Sequence, residues 1–225
     1  MGEVINLTHS FSSLKMYENC PKRYYHQRIT KEVVDSGSEA TRYGNRVHKA
    51  LEERLDSDSP LSEEAIKYED MCATLQNVKK RPHFQELLLE QQLCLTDERM
   101  ATGWWDANAW LRSIIDVLIL FKGSAIVVDW KTGKRRPDFT QLEMFAVQVF
   151  SHYPKINKVH TSFVWLKEDK QDTKTFYRAE LPEMWESIQG RIDRITQSVR
   201  HDDFPAKPSG LCRWCPCYDF CEYAS

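Results

Sequence analysis

Several stretches of this 225-residue chain carry side chains suited to chemistry, and Asp116 with Asp129-Trp130-Lys131 is the most informative. Asp116 stands at the base of an apolar run, Val117–Leu120. Lys122-Gly123-Ser124 forms a tight turn, and Asp129 ends a β-branched return run, Ala125–Val128. In a hairpin, residues equally far from the turn lie side by side, so both carboxylates converge at one end of a sheet. Two adjacent carboxylates repel unless a cation lies between them, and hard oxygen ligands of this kind suit Mg²⁺ or Mn²⁺. Lys131, two residues past Asp129, shares its strand face. An ammonium there can orient a water, help deprotonate it, or stabilise charge developing on a phosphate. Alone, a D-x-K triplet reads better as the alternating charges of a solvated edge strand; the upstream Asp116, together with His48 and Gln141, shifts the balance toward a site.

His48 follows Gly44 by four residues on a helical pattern. Helical side chains point back over the preceding turn, so Gly44 is expected to leave open space beside His48 for a ligand or a metal-bound phosphate. Gln141 opens the helix after the D-x-K strand, where its amide and the helix N-terminus could face the same site. Glu90 lies on one face of an alternating strand and needs no function to explain it. Cys212, Cys215, Cys217 and Cys221 crowd near the end of the chain, with Cys20 near its start and Cys72 and Cys94 between. Thiolates so spaced ligate zinc or an iron–sulfur cluster, and spacing alone does not separate the two. Cys217 leaves open a purely local four-thiolate site that omits Cys20. Cys72 and Cys94 read as core residues.

The elements that must position these residues follow from periodicity. Serines ahead of Leu14 and Tyr17 suit a helix start, and Pro21 ends that helix near Cys20. Tyr43, Val47, Leu51 and Leu55 recur at every fourth position over residues 38–56, an amphipathic stripe. A further helix runs to about Lys80. Strands are expected from Leu88, over Trp110–Leu120, and over Ala125–Lys131, then a helix over 138–152 and strands near 157–166 and 173–181. Trp185, Ile188, Ile192, Ile195 and Val199 mark the last helix. Helices, a three-strand meander, a helix and two more strands point to a mixed α/β core.

Composition bounds the rest. At 41% hydrophobic and 28% charged, the chain has the makeup of a globular protein, and its length fits one large domain or one domain with a small appendage. No apolar run approaches the roughly 20 residues that span a bilayer, so no membrane association is expected. Met1–Asn6 carry neither the basic region nor the apolar segment of a secretory leader, so the expected location is cytoplasmic, in a bacterium or a phage-infected host. In that setting a metal site explains the cysteines better than disulfides do. The net charge of −2 does not advertise nucleic-acid binding, which would have to use local patches such as Lys134, Arg135 and Arg136.

Together, Gly44-x-x-x-His48, Asp116, Asp129-Trp130-Lys131-Thr132-Gly133 and Gln141 resemble the ordered motifs of RecB-type nucleases in the PD-(D/E)XK superfamily. Ser12-Ser13, Tyr17, Cys20-Pro21 and Tyr24-Tyr25 resemble that family's N-terminal segment. The resemblance runs from about residue 10 to residue 221. It implies a restriction-endonuclease-like core, a mixed central sheet flanked by helices. In that core His48, Asp116 and Asp129, with the Trp130 carbonyl, bind Mg²⁺ or Mn²⁺, while Lys131 and Gln141 place the attacking water. One departure stands out: where the family carries Q-x-x-x-Y, this chain reads Gln141-Leu142-Glu143-Met144-Phe145, so the tyrosine hydroxyl is missing.

Cys20 with Cys212, Cys215 and Cys221 resembles the iron–sulfur subset of these nucleases, the AddB-like and CRISPR-associated RecB-like exonucleases. This implies a [4Fe–4S] cluster rather than Zn²⁺. The cluster would join residues 10–30 to 205–225 around a nuclease core at 38–181, all within one domain spanning 1–225. The implied activity is a metal-dependent DNA exonuclease in replication, recombination, repair or spacer processing. Single-stranded DNA is the expected substrate, because a strand has to thread past the metals and Tyr24, Tyr25, Trp104 and Trp105 could stack its bases. Core packing is the competing use of those aromatics. A helicase or recombination partner would supply unwinding, and oligomeric state is not legible. The alternative is a non-catalytic DNA-binding or assembly subunit of a larger nuclease or helicase complex.

Overall fold

A computed structural model describes residues 7–223; Met1–Asn6, read above for a leader, lie outside the described residues. The chain divides into two compact units. One comprises Ser38–Trp185 with Thr8, and the other comprises His9–Gly37 with the chain from Glu186 onward.

The first unit is built on a six-stranded sheet: β1 (Phe84–Leu95), β2 (Ala101–Thr102), β3 (Leu111–Phe121), β4 (Ser124–Lys131), β5 (Lys158–Trp165) and β6 (Lys170–Tyr177). The spatial order is β2-β1-β3-β4-β5-β6. Only β4–β5 is parallel; every other pair is antiparallel. Parallel neighbours need a crossover, which the helix Phe139–His152 supplies between β4 and β5. The sheet is therefore mixed, as the sequence pattern implies.

In chain order the helices are α1 (Phe11–Asn19), α2 (Pro21–Tyr24), α3 (Glu39–Ser57), α4 (Glu69–Asn77), α5 (Phe139–His152) and α6 (Leu181–His201). Ser38 caps α3, its side chain accepting the Thr41 N–H, and Asp58 closes the helix in the left-handed region. The stripe Val47, Leu51, Leu55 packs with Tyr68 and Cys72 onto Val117, Ile119, Val128, Trp130 and Val164. The alternate positions Leu118, Leu120, Val127 and Phe163 are also buried. That second face is covered by α5, which packs across β1, β3, β4 and β5. The core is thus two helical layers on one sheet. Such burial, at roughly 25 cal/mol per Å² of apolar surface, holds the strand ends where functional side chains project.

In the second unit, Ser10 forms a capping box with Ser13 at the start of α1, and Pro21 ends that helix. The Tyr17 hydroxyl lies 2.7 Å from Ser198 Oγ, and Arg191 bridges to Glu18 at 2.6 Å. Lys207 Nζ donates to the Glu18 carbonyl at 2.9 Å. Early and late chain segments are therefore joined within this unit. Among the described residues no helix is long and apolar enough to cross a membrane.

Candidate active site

Where β3 and β4 part, the sheet presents its chemistry. Their ladder runs from Phe121↔Ser124 to Val117↔Val128 and then stops. Beyond that point β3 continues along β1, and β4 continues along β5. Asp116 and Asp129 are the first residues past the fork. The Trp130 N–H, released from the ladder, is donated to Asp116 Oδ2 at 2.6 Å. This bond fixes one carboxylate against the other strand.

From α3, His48 Nδ1 reaches to 3.5 Å of Asp116 Oδ1. Glu90 joins them: one ligand atom from each of His48, Glu90 and Asp116 lies within 4.8 Å of the others. Glu90 does so from a left-handed backbone conformation in mid-strand, φ +46°. Its carboxyl is raised by burial and by the Asp116 charge. Burial disfavours the His48 imidazolium, but the Asp116 hydrogen bond and the nearby carboxylates outweigh it and raise its pKa.

Asp129 is buried and turned toward different partners. Its Oδ1 accepts a hydrogen bond from Gln141 Nε2 at 3.1 Å, at the N-terminal turn of α5. Lys131 Nζ stands 2.6 Å from Oδ2 and 5.2 Å from the centre of the Phe163 ring. That contact pairs the buried Oδ2 with the ammonium. Burial pushes the Asp129 carboxyl up to about 7; Lys131 opposes this and Asp116 adds to it. The donor set of one imidazole and three carboxylates fits a hard divalent ion.

The sequence matches the PD-(D/E)XK nuclease superfamily over residues 8–222. The chain belongs to this superfamily. Among solved structures, SSO0001 is 13% identical, with 100% of this chain and 90% of that chain covered and a TM-score of 0.41. A protein of Eubacterium rectale, provisionally named an exonuclease, is 14% identical, with 92% and 87% covered and a TM-score of 0.49. No curated protein matches.

This PD-(D/E)XK nuclease brings together His48, Asp116, Asp129, Lys131 and Gln141, and it adds Glu90. The sequence gives little notice of Glu90, because an isolated polar residue on a strand is ordinary and its backbone angle is not encoded in a pattern. The expected opening beside Gly44 is absent. A Cβ on Gly44 would stand 2.9 Å from Thr132 Oγ1, so the missing side chain admits the loop after the D-x-K strand rather than a ligand. Phe145, in place of tyrosine, is buried in the core. Arg135 is committed within the protein: its guanidinium grips Asp172 at 2.8 and 2.5 Å, and its backbone N–H bonds Glu168. Lys134 and Arg136 are exposed. Tyr24 is fully buried, and Tyr25 packs on Phe204.

All seven cysteines are free thiols. Cys20, Cys212, Cys215 and Cys221 are half-buried, and all belong to the second unit. Cys20 Sγ accepts the Lys207 N–H at 3.5 Å, and Cys212 Sγ accepts that of Ser209 at 3.2 Å. Cys217 is buried beside Cys215 and Cys221, and burial with these neighbours pushes its thiol up to about 12. Among the described residues no three of these sulfurs lie within 4.8 Å of one another.

Proposed function

We propose that the protein is a divalent-metal-dependent DNA exonuclease acting on single strands, with an iron–sulfur cluster in its second unit. The observation that carries the nuclease reading is the meeting of His48, Glu90 and Asp116 next to a buried Asp129 that Lys131 pairs. His48, Glu90, Asp116 and Asp129, with the Trp130 carbonyl, would hold Mg²⁺ or Mn²⁺. A bound ion of this kind polarises a scissile phosphate and lowers the pKa of an attacking water.

The chain's own groups supply the remainder. Lys131, held between Asp129 and the Phe163 ring, presents an ammonium that positions a water and offsets charge on the phosphate. Gln141 fixes Asp129 in orientation and supplies a second amide N–H. The Trp130 N–H locks Asp116, so the carboxylates are set before substrate arrives. Lys134 and Arg136, with whatever share Arg135 can spare from Asp172, attract the phosphate backbone.

Cys20, Cys212, Cys215 and Cys221 would carry a [4Fe–4S] cluster joining residues 10–30 to 205–225, with the nuclease core formed by residues 38–181. The backbone N–H groups of Lys207 and Ser209 orient the Cys20 and Cys212 sulfurs. Cys217, buried behind them, is the spare. A cluster so ligated contributes folding energy rather than chemistry.

The test is digestion of single-stranded DNA labelled at either end, with Mn²⁺ or Mg²⁺, comparing wild type with Lys131→Ala. Wild-type cleavage that the variant lacks is expected, and the label released first gives the polarity. No cleavage by protein carrying its full iron complement would overturn the nuclease reading in favour of a binding subunit. For the cluster, Cys20→Ala should lose iron while Cys217→Ala keeps it; the reverse would assign the local four-cysteine site.

A further inference from the structure

We propose that Trp104, Trp105 and Arg112 form a base-stacking platform that grips single-stranded DNA about two nucleotides from the site at Asp116. This rests on the nuclease reading for its orientation, though not for its binding chemistry.

The platform is built on the loop between β2 and β3. Trp105 is 84% exposed, although exposing an indole to water is costly without a use for it. Trp104 is half-buried beside it. The Arg112 guanidinium stands over both rings, 5.0 Å from the Trp104 centroid and 5.7 Å from that of Trp105. Arg112 forms no ion pair among the described residues, and its Nε is buried with no hydrogen-bond partner. The cation is thus held by the two rings and by Cys94, its partner across the β1–β3 ladder, rather than by carboxylates, and its outer nitrogens can meet a phosphate.

The loop is stiff. Asp106 accepts hydrogen bonds from Thr102 Oγ1 at 2.5 Å and from the Gly103 N–H at 2.7 Å, and the Ala109 N–H closes back onto the Asp106 carbonyl at 3.0 Å. Gly103 is needed there, since a Cβ would meet Asp106 Oδ2 at 2.9 Å. A preorganised surface loses little entropy on binding.

Direction follows from the strand. Arg112, Ile114 and Asp116 alternate along β3 and so share one face. Four residues of strand span about 13 Å, a length an extended single strand covers in about two nucleotides. Between them lies Ile114, 42% exposed, paired in register with the exposed Gln92 of β1. The face thus runs from a stacking surface over an apolar and amide floor to the carboxylates. Only an unpaired base offers its π-face to a projecting indole, which selects a single strand over a duplex.

The test is binding of labelled oligo-dT, measured by fluorescence anisotropy in EDTA so that cleavage plays no part. Trp105→Ala removes an exposed side chain and leaves the fold intact. It should weaken binding between about 5-fold and 150-fold, the range for one stacked base, with the salt slope unchanged. Trp105→Phe should restore most of the loss, and binding of duplex DNA should not respond to either variant. Equal oligo-dT affinity for Trp105→Ala and wild type would overturn the platform, as would an equal loss on duplex. Protein that binds through Trp105 yet never cleaves would sink the nuclease reading and leave the platform standing. Protein that cleaves with Trp105 irrelevant to binding would do the opposite.

Discussion

Replacing Asp129 by asparagine should abolish cleavage and yet stabilise the metal-free protein above neutral pH. The carboxyl is 4% exposed and is shifted from its ordinary 3.8 to about 7, by burial first and by Asp116 in addition. Below pH 3.8 folded and unfolded chains both hold this proton, and Asp129 has no effect on the balance. As pH rises from there to 7, the unfolded chain releases the proton while the folded chain retains it, so stability falls. Above 7 both are ionised and the penalty is complete. A difference of one pH unit between the two states is worth about 1.4 kcal/mol, which makes the penalty about 4 kcal/mol. Asparagine imitates the protonated form at every pH. In urea unfolding with EDTA, Asp129→Asn should match wild type near pH 4 and exceed its stability by up to about 4 kcal/mol above pH 7. Adding Mn²⁺ should narrow or invert that gap, because the ion stabilises only the carboxylate. A variant less stable than wild type above pH 7 in EDTA would refute the claim that burial penalises this carboxylate.

Three further outcomes are expected. Gly44→Ala should cost about 1–3 kcal/mol, by driving a methyl into Thr132, and should impair cleavage; adding Thr132→Ala should recover most of the melting temperature. Arg135→Ala should lower the melting temperature and leave the salt slope of DNA binding nearly unchanged, whereas Lys134→Ala and Arg136→Ala should each reduce that slope by about one. His9, buried near Arg28, has its pKa lowered from 6.5 to about 4. Its stabilising effect is therefore complete above pH 6.5 and lost as pH falls toward 4, about 3 kcal/mol in all, and His9→Gln should flatten that part of the urea-stability profile.

Much of the architecture is legible because single-residue rules act locally. The four-residue stripe from Tyr43 to Leu55 becomes α3, and Pro21 stops α1 where expected. Gly123, at φ +82°, makes the turn that sets Asp116 opposite Asp129. Boundaries move where partners decide them. β1 begins at Phe84 rather than Leu88, carried by pairing with the long β3. β6 ends at Tyr177 rather than near 181, because Leu181-Pro182 start α6 and proline suits a first helical turn. The two-residue β2 has no pattern of its own and exists through register with Cys94 and Leu95. In the site, residue types that carry chemistry in any context were readable: His48, Asp116, Asp129, Lys131. Glu90 and the contact between Gly44 and Thr132 were not, since both depend on tertiary approach.

The site itself explains why local rules fail there. A continuous β3–β4 ladder would pair the Trp130 N–H and bring two carboxylates together with nothing between them. The fork instead leaves a backbone donor for Asp116 and lets Lys131 pair Asp129 Oδ2, a carboxylate whose charge burial still disfavours. Glu90 adds a left-handed residue in mid-strand, a conformation that costs roughly 1–2 kcal/mol for a side chain of its kind. Three separate departures from good folding thus meet within one cluster: a broken ladder, a buried carboxylate whose charge burial disfavours, and a strained glutamate. Chance would scatter such defects across the sheet. A requirement to gather oxygen ligands around a cation would place all three together, because each draws a carboxylate toward one point that folding by itself has no reason to favour.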